Sequence, residues 1–187
     1  MEPFDASEKY RKYLIKLTSD NSSGYCVWGA DMENGEDDKF LIKDNKVLVF
    51  RSLEDLRLKI SEYEAYFFDK LNFASWIREE KFETEYSEID IDRLLKFDRK
   101  VFSSKENAFD LVNALNAAQD FFIQINSEKM EEIFKSPDLK NIKDILYNLY
   151  FWKNDSDIES QIADINIDSI LIKSILYEIH HNFATTP

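Results

Sequence analysis

Apolar and polar positions along this chain change their period once, near residue 50. Before it the repeat is close to two. "RKYLIKLT" (residues 11–18) sets Tyr13, Ile15 and Leu17 against Lys12, Leu14 and Lys16, as in a strand with one covered face. "YCVWGA" (residues 25–30) is rich in aromatic and β-branched residues. "KFLIK" and "VLVF" follow, split by Asp44-Asn45-Lys46, residues that tolerate a left-handed backbone in a hairpin. Four strands are predicted, with "SDNSSG" as the turn between the first two.

After residue 50 the repeat lengthens to three and four. Ser52 with Asp55 three residues on is a capping-box variant. Leu53, Leu56, Ile60, Tyr63 and Phe67 then form one helical face, and the helix is expected to run on through "NFASWIREE". A helix restarts near Asp90 for "IDRLLKF". Ala108, Leu111, Val112, Leu115, Ala118, Phe122 and Ile125 hold one face over five turns. Ser127 caps "EKMEEIFK". Pro137 suits a first helical turn behind the cap Ser136, and Leu139, Ile142, Leu146 and Leu149 follow on one side. Ile167, Ile170, Leu171, Ile175, Ile179 and Phe183 predict a terminal helix. The adjacent pairs Phe67-Phe68 and Phe121-Phe122 and the run "LYNLYFW" favour helices buried on more than one side.

The predicted class is α+β: an N-terminal antiparallel sheet of about four strands packed against C-terminal helices. One domain is expected over residues 1–187, with a β-rich layer at 9–51 and a mainly helical layer at 52–183. Glycine occurs only at Gly24, Gly29 and Gly35, where tight turns between strands are the expected use.

Composition supports a packed core, since 44% of residues are hydrophobic and 14% aromatic. The net charge of −13 changes the picture more. It lacks the basic footprint of a nucleic-acid binder and disfavours an anionic membrane. A basic protein surface is its electrostatic complement. The acids are also unevenly placed. Residues 31–38 hold Asp31, Glu33, Glu36, Asp37 and Asp38 with no base among them. Residues 79–92 hold Glu79, Glu80, Glu83, Glu85, Glu88, Asp90 and Asp92 against Lys81 alone. Asp31, Glu33, Glu36, Asp37, Asp38, Glu79, Glu80, Glu83 and Glu85 are the candidate partner-binding residues.

Motifs for chemistry fail one by one. An EF-hand started at Asp31 would need glycine sixth and glutamate twelfth, and Glu36 and Ile42 stand there. Glu79-Glu80-Lys81 matches the E-x-K tail of a nuclease, but it follows a helix and not a strand. Neither His180 nor His181 has glutamate three places before it, as a di-metal bundle would need. Both read as polar residues near a helix C-terminus. Cys26, the lone cysteine, reads as a small core residue in a strand, with no disulfide, which suits a reducing cytosol. No glycine-rich phosphate loop, G-x-S-x-G or CxxC occurs. No catalytic residue, metal or cofactor is therefore expected. With no apolar leader and no stretch of about 20 apolar residues, a cytoplasmic location is expected.

The small acidic α+β plan, the lone cysteine, the missing catalytic motifs and the strand-then-capped-helix unit "KVLVFRSLEDLRLKI" resemble the immunity proteins of bacterial toxin–immunity systems, such as those of contact-dependent growth inhibition. That resemblance implies tight binding to a cognate toxin domain, usually a nuclease, by blocking its active site or substrate path. It assigns no particular residue. Three rivals stand beside it: an acidic adaptor or scaffold, an enzyme of unrecognised type, and a single-strand nucleic-acid binder of Whirly type. For the last, Lys9, Arg11, Lys12 and Lys16 are the candidate basic cluster.

Overall fold

A computed structural model of the chain describes residues 4–20, 22–96, 104–148 and 169–185. The class is α+β, with an antiparallel-rich sheet near the N-terminus and helices toward the C-terminus. The chain divides into two compact units, residues 1–89 with 180–187, and residues 90–179.

In the first unit, helix α1 (Asp5–Tyr10) leads into β1 (Lys12–Ser19) and β2 (Ser22–Ala30). These two strands form an antiparallel hairpin that pairs Lys12 with Gly29 and Ser19 with Ser22. The predicted strand "KFLIK" breaks at Leu41 into β3 (Asp38–Phe40) and β4 (Ile42–Lys43). The break lets β3 stay on β2 while β4 turns to β5 (Lys46–Val49). Leu41 bonds across it, through its N–H to Val27 and its carbonyl to Leu48. Two sheets result, ordered β3-β2-β1-β6 and β4-β5-β7. Strand β6 (Ser87–Asp90) comes from the second acidic stretch, and β7 (Phe183–Thr185) starts at Phe183, the residue expected to close the terminal helix. Strand β1 is paired on both edges, and Leu14 and Ile15, on its opposite faces, are both buried.

Two glycines serve strands, not turns. A Cβ on Gly29 would lie 2.2 Å from the Arg11 carbonyl oxygen, and one on Gly24 would lie 2.4 Å from Val49 Cγ1. Only Gly35 occupies a turn with positive φ, at 99°.

Helix α2 (Leu53–Lys59) starts as predicted. Ser52 Oγ accepts the Asp55 N–H at 3.0 Å. The long helix expected beyond it is interrupted by a 3-10 segment (Ile60–Tyr66) and resumes as α3 (Lys70–Glu79). The cause is tertiary: Asp69, between the two, is fully buried and ion-paired to Lys12. Leu56, Ile60, Tyr63, Phe67, Phe73 and Trp76 from these segments join Leu14, Val27, Leu48 and Phe50 in one core.

The second unit contains α4 (Ile91–Leu95), α5 (Lys105–Gln124), α6 (Glu128–Phe134), α7 (Pro137–Tyr147) and most of α8 (Ser169–His180). Asp90, Ser104 and Ser136 cap α4, α5 and α7 through their side chains, whereas Ser127 makes no such bond. Leu111, Leu115, Phe121 and Phe122 of α5 are buried, as are Leu139, Ile142 and Leu146 of α7. In α8 the buried face is Ile172, Ile175, Leu176 and Ile179, while Ile170 is 79% exposed. Apolar residues surround α8, so periodicity alone does not select its inner side. Leu149, Ile167 and most of "LYNLYFW" lie outside the described residues.

Candidate partner-binding surface

The acidic loop closes on its first residue. The Asp31 N–H donates to the Asp37 carbonyl at 2.8 Å, and the Asp31 carbonyl accepts the Glu36 N–H at 2.9 Å. Gly35 and Glu36, at φ 99° and 65°, turn the chain back. The Asp31 carboxylate is buried, where it accepts Lys39 Nζ at 2.6 Å, Asn34 Nδ2 at 3.0 Å and the Glu33 N–H at 3.2 Å. Burial pushes its pKa up, but these donors outweigh burial and hold it below the ordinary carboxylate value. Asp31 is thus a structural anchor inside the loop, with its side chain buried.

Beneath the loop lies a second buried carboxylate. Asp69 Oδ2 accepts Lys12 Nζ at 2.8 Å, the Met32 N–H at 2.9 Å and Asn72 Nδ2 at 3.1 Å. Lys12 also donates to the carbonyls of Ala30 and Tyr10. Burial lowers the Lys12 pKa, opposed by Asp69 and Asp31.

The other acids divide into paired and unpaired. Arg11 donates to Glu36 at 2.5 Å, and Lys9 donates to Glu79 at 2.8 Å. Tyr10 Oη, between those cations in sequence, donates to Glu79 at 2.5 Å. Bonds from Lys9 and Tyr10 hold Glu79 below its ordinary pKa. Glu80 accepts Ser7 Oγ at 3.1 Å and the Lys81 N–H at 2.9 Å. Asp38 is half-buried, and burial raises its pKa. Among the described residues no cation lies within salt-bridge distance of Glu33, Asp37, Glu83 or Glu85.

Three consecutive residues, Lys9 to Arg11, thus join the two acidic segments at one end of the first sheet, a convergence that sequence spacing does not show. The same contacts engage the candidate basic cluster. Lys9, Arg11, Lys12 and Lys16 are each paired, with Glu79, Glu36, Asp69 and Glu88.

Apolar surface accompanies the acids. Met32 and Phe68 are each 40% exposed and Leu71 is 80% exposed. All three lie around Asp69: Met32 bonds to it, and Phe68 and Leu71 flank it in sequence. Lys39 Nζ sits 4.1 Å from the Phe68 ring centroid, a cation–π contact that also holds Asp31.

Elsewhere, Cys26 is fully buried, and burial pushes its thiol pKa up, which suppresses the nucleophilic thiolate. Among the described residues no group of three or more His, Cys, Asp or Glu side chains is placed to hold a metal ion. No helix among them is long and apolar enough to cross a membrane.

No family model matches the chain. No curated protein matches it. Among solved structures it is similar to the SatS C-terminal domain, crystallised in complex with bromine. The two share 9% identity over 96% of each chain, with a TM-score of 0.52. At that identity the likeness concerns the fold alone.

Proposed function

We propose that this protein acts by binding and not by turnover. It is an immunity-type inhibitor that docks its acidic end on the basic surface of a partner protein, a nuclease toxin domain in the cytoplasm being the fitting target. One observation carries the reading. Two acidic segments, distant in sequence, are both tethered to the α1–β1 junction, through Glu36 and Glu79, and among the described residues four of their acids, Glu33, Asp37, Glu83 and Glu85, have no cation within salt-bridge distance. The exposed Met32, Phe68 and Leu71 beside the loop supply the apolar centre that an interface needs inside a charged rim.

A nuclease must carry cations to hold its polyanionic substrate. An inhibitor with unpaired carboxylates is steered to those cations and competes with the substrate for them. Direct binding of nucleic acid by this chain is disfavoured, because the cations of α1 and β1, Lys9, Arg11, Lys12 and Lys16, are already held by acids. The test is co-expression with a basic toxin domain encoded next to it. Growth protection and a complex stable to size-exclusion chromatography are expected. Toxicity unrelieved, with no complex at low salt, would overturn the proposal.

A further inference from the structure

The end of β1 opposite Lys12 opens into a cleft of about 490 Å³ within the first unit. The β1–β2 turn, the exit of β5 and the segment after α8 form its walls. Leu17, Val49, Phe50 and Phe183 contribute apolar surface. His180, which ends α8, props the turn. Its Nδ1 lies 2.6 Å from Ser19 Oγ, and its Nε2 lies 3.1 Å from Asp20 Oδ2. The neutral Nε2–H tautomer and the imidazolium both satisfy these contacts, so both ring nitrogens are engaged. A hydroxyl, an imidazole and a carboxylate in a row is also the residue set of a serine nucleophile. Asp20 is 81% exposed, however, and a solvated carboxylate does not give the buried orientation that chemistry uses.

Arg51 lines the same cleft. Its backbone N–H donates to Asp55, but among the described residues its guanidinium has no carboxylate within salt-bridge distance. Arg11, Arg57 and Arg93 each have one. Arg78 has no such carboxylate but donates to Ser75 Oγ, so among the described arginines Arg51 is the one whose guanidinium has no side-chain partner. The hydroxyls of Ser23 and Thr185, on the same walls, also have no side-chain hydrogen bond among the described residues.

We propose that this cleft binds a small organic carboxylate with a compact apolar body. The guanidinium offers a planar fork that takes a carboxylate through two parallel hydrogen bonds. Ser23 and Thr185 supply further donors at the rim, and the apolar wall takes the body. The volume lies within the roughly 300–1,000 Å³ of ligand clefts. Charge selects the class further. Asp20 on the rim and a net charge of −13 oppose a dianion such as phosphate more than a monoanion.

The test is titration of the isotope-labelled full chain with 3-phenylpropionate, acetate and inorganic phosphate, followed by NMR of the Arg51 side chain and the amides of residues 17–24. Saturable binding of 3-phenylpropionate is expected, with acetate weaker and phosphate unable to displace it. Arg51→Gln should weaken binding about tenfold or more, as loss of a charge-assisted pair does. Arg51→Lys should fall between. Because Arg51 is exposed, both variants should keep the wild-type melting temperature. No saturable shift, undiminished binding by Arg51→Gln, or phosphate binding as tightly as the carboxylate would each overturn the proposal. The cleft shares no residue with the acidic surface, so failure here and failure there are separate results.

Discussion

Lys12 Nζ lies 2.8 Å from Asp69 Oδ2, and neither side chain is exposed to solvent. This ion pair ties the first residue of β1 to the break before α3, directly under Met32. Removing one partner leaves an uncompensated buried charge, so Asp69→Ala is expected to cost about 3–5 kcal/mol. The double replacement Lys12→Met with Asp69→Leu should recover much of that loss, because an apolar pair needs no solvation. Denaturant midpoints of both single variants and the double would check it. Single-variant midpoints equal to wild type would refute the burial of the pair.

Asp31 and Asp38 bracket the acidic loop and should respond to pH with opposite signs. The Asp31 carboxyl sits below its ordinary value of 3.8 in the folded protein. Its contribution is therefore full above 3.8 and is lost as pH falls through the lower folded value. Asp31→Asn should cost about 1–3 kcal/mol at neutral pH, as loss of a charged hydrogen-bond acceptor does, and the difference should shrink in acid. Asp38 is raised above 3.8 by burial. Ionising it costs stability, beginning as pH rises past 3.8 and complete above the folded value. Asp38→Asn should therefore stabilise the protein at neutral pH and lose that advantage in acid. Urea denaturation of each variant at about pH 7 and about pH 3 separates the two signs.

Leu115 and Leu146 are fully buried in the second unit, on α5 and α7. Truncation of either to alanine should destabilise by about 2–5 kcal/mol, the transfer loss plus a residual cavity. Asn113, exposed on α5, is the control, and Asn113→Ala should stay within about 0.5 kcal/mol. Thermal melts of the three variants decide whether the inner faces are assigned correctly.

Local rules made part of this fold legible. Ser52, Asp90 and Ser136 stop and start helices through bonds that reach three residues, and a short window contains them. The α5 face from Ala108 to Phe122 repeats for long enough to fix its inner side. What stayed hidden depends on partners far along the chain. The helix break at Asp69 follows from Lys12, 57 residues earlier. Strand β6 sits in a stretch whose acidity resembles a loop, and it forms because β1 has an open edge to offer. Gly29 looked like a turn residue, but it is there because the Arg11 backbone passes within contact of its Cα.

The candidate site was legible as charge and illegible as geometry. Sequence placed all nine acids on one footing. The fold uses Asp31 as an internal anchor, neutralises Glu36 and Glu79, ties Glu80 to Ser7, half-buries Asp38 and leaves Glu33, Asp37, Glu83 and Glu85 unpaired. Sequence does not show that Met32 lies near the Phe68–Leu71 segment, because the link is the Met32 N–H bond to Asp69, 37 residues on.

That sorting makes the binding proposal sharper than a count of acids. Glu33 and Asp37 are exposed, so Glu33→Gln with Asp37→Asn should leave stability within about 0.5 kcal/mol. If these acids steer a basic partner, the double variant should associate more slowly at low salt. Its rate should also depend less on salt, because fewer charges are screened. Leu71→Ala should act differently, leaving association unchanged and speeding dissociation, as loss of a desolvated apolar contact does. A solvated loop with no partner role predicts that neither variant changes either rate. Association and dissociation measured at low and high salt against the cognate toxin domain decide between them: wild-type rates for both variants under both conditions would remove this surface from the interface.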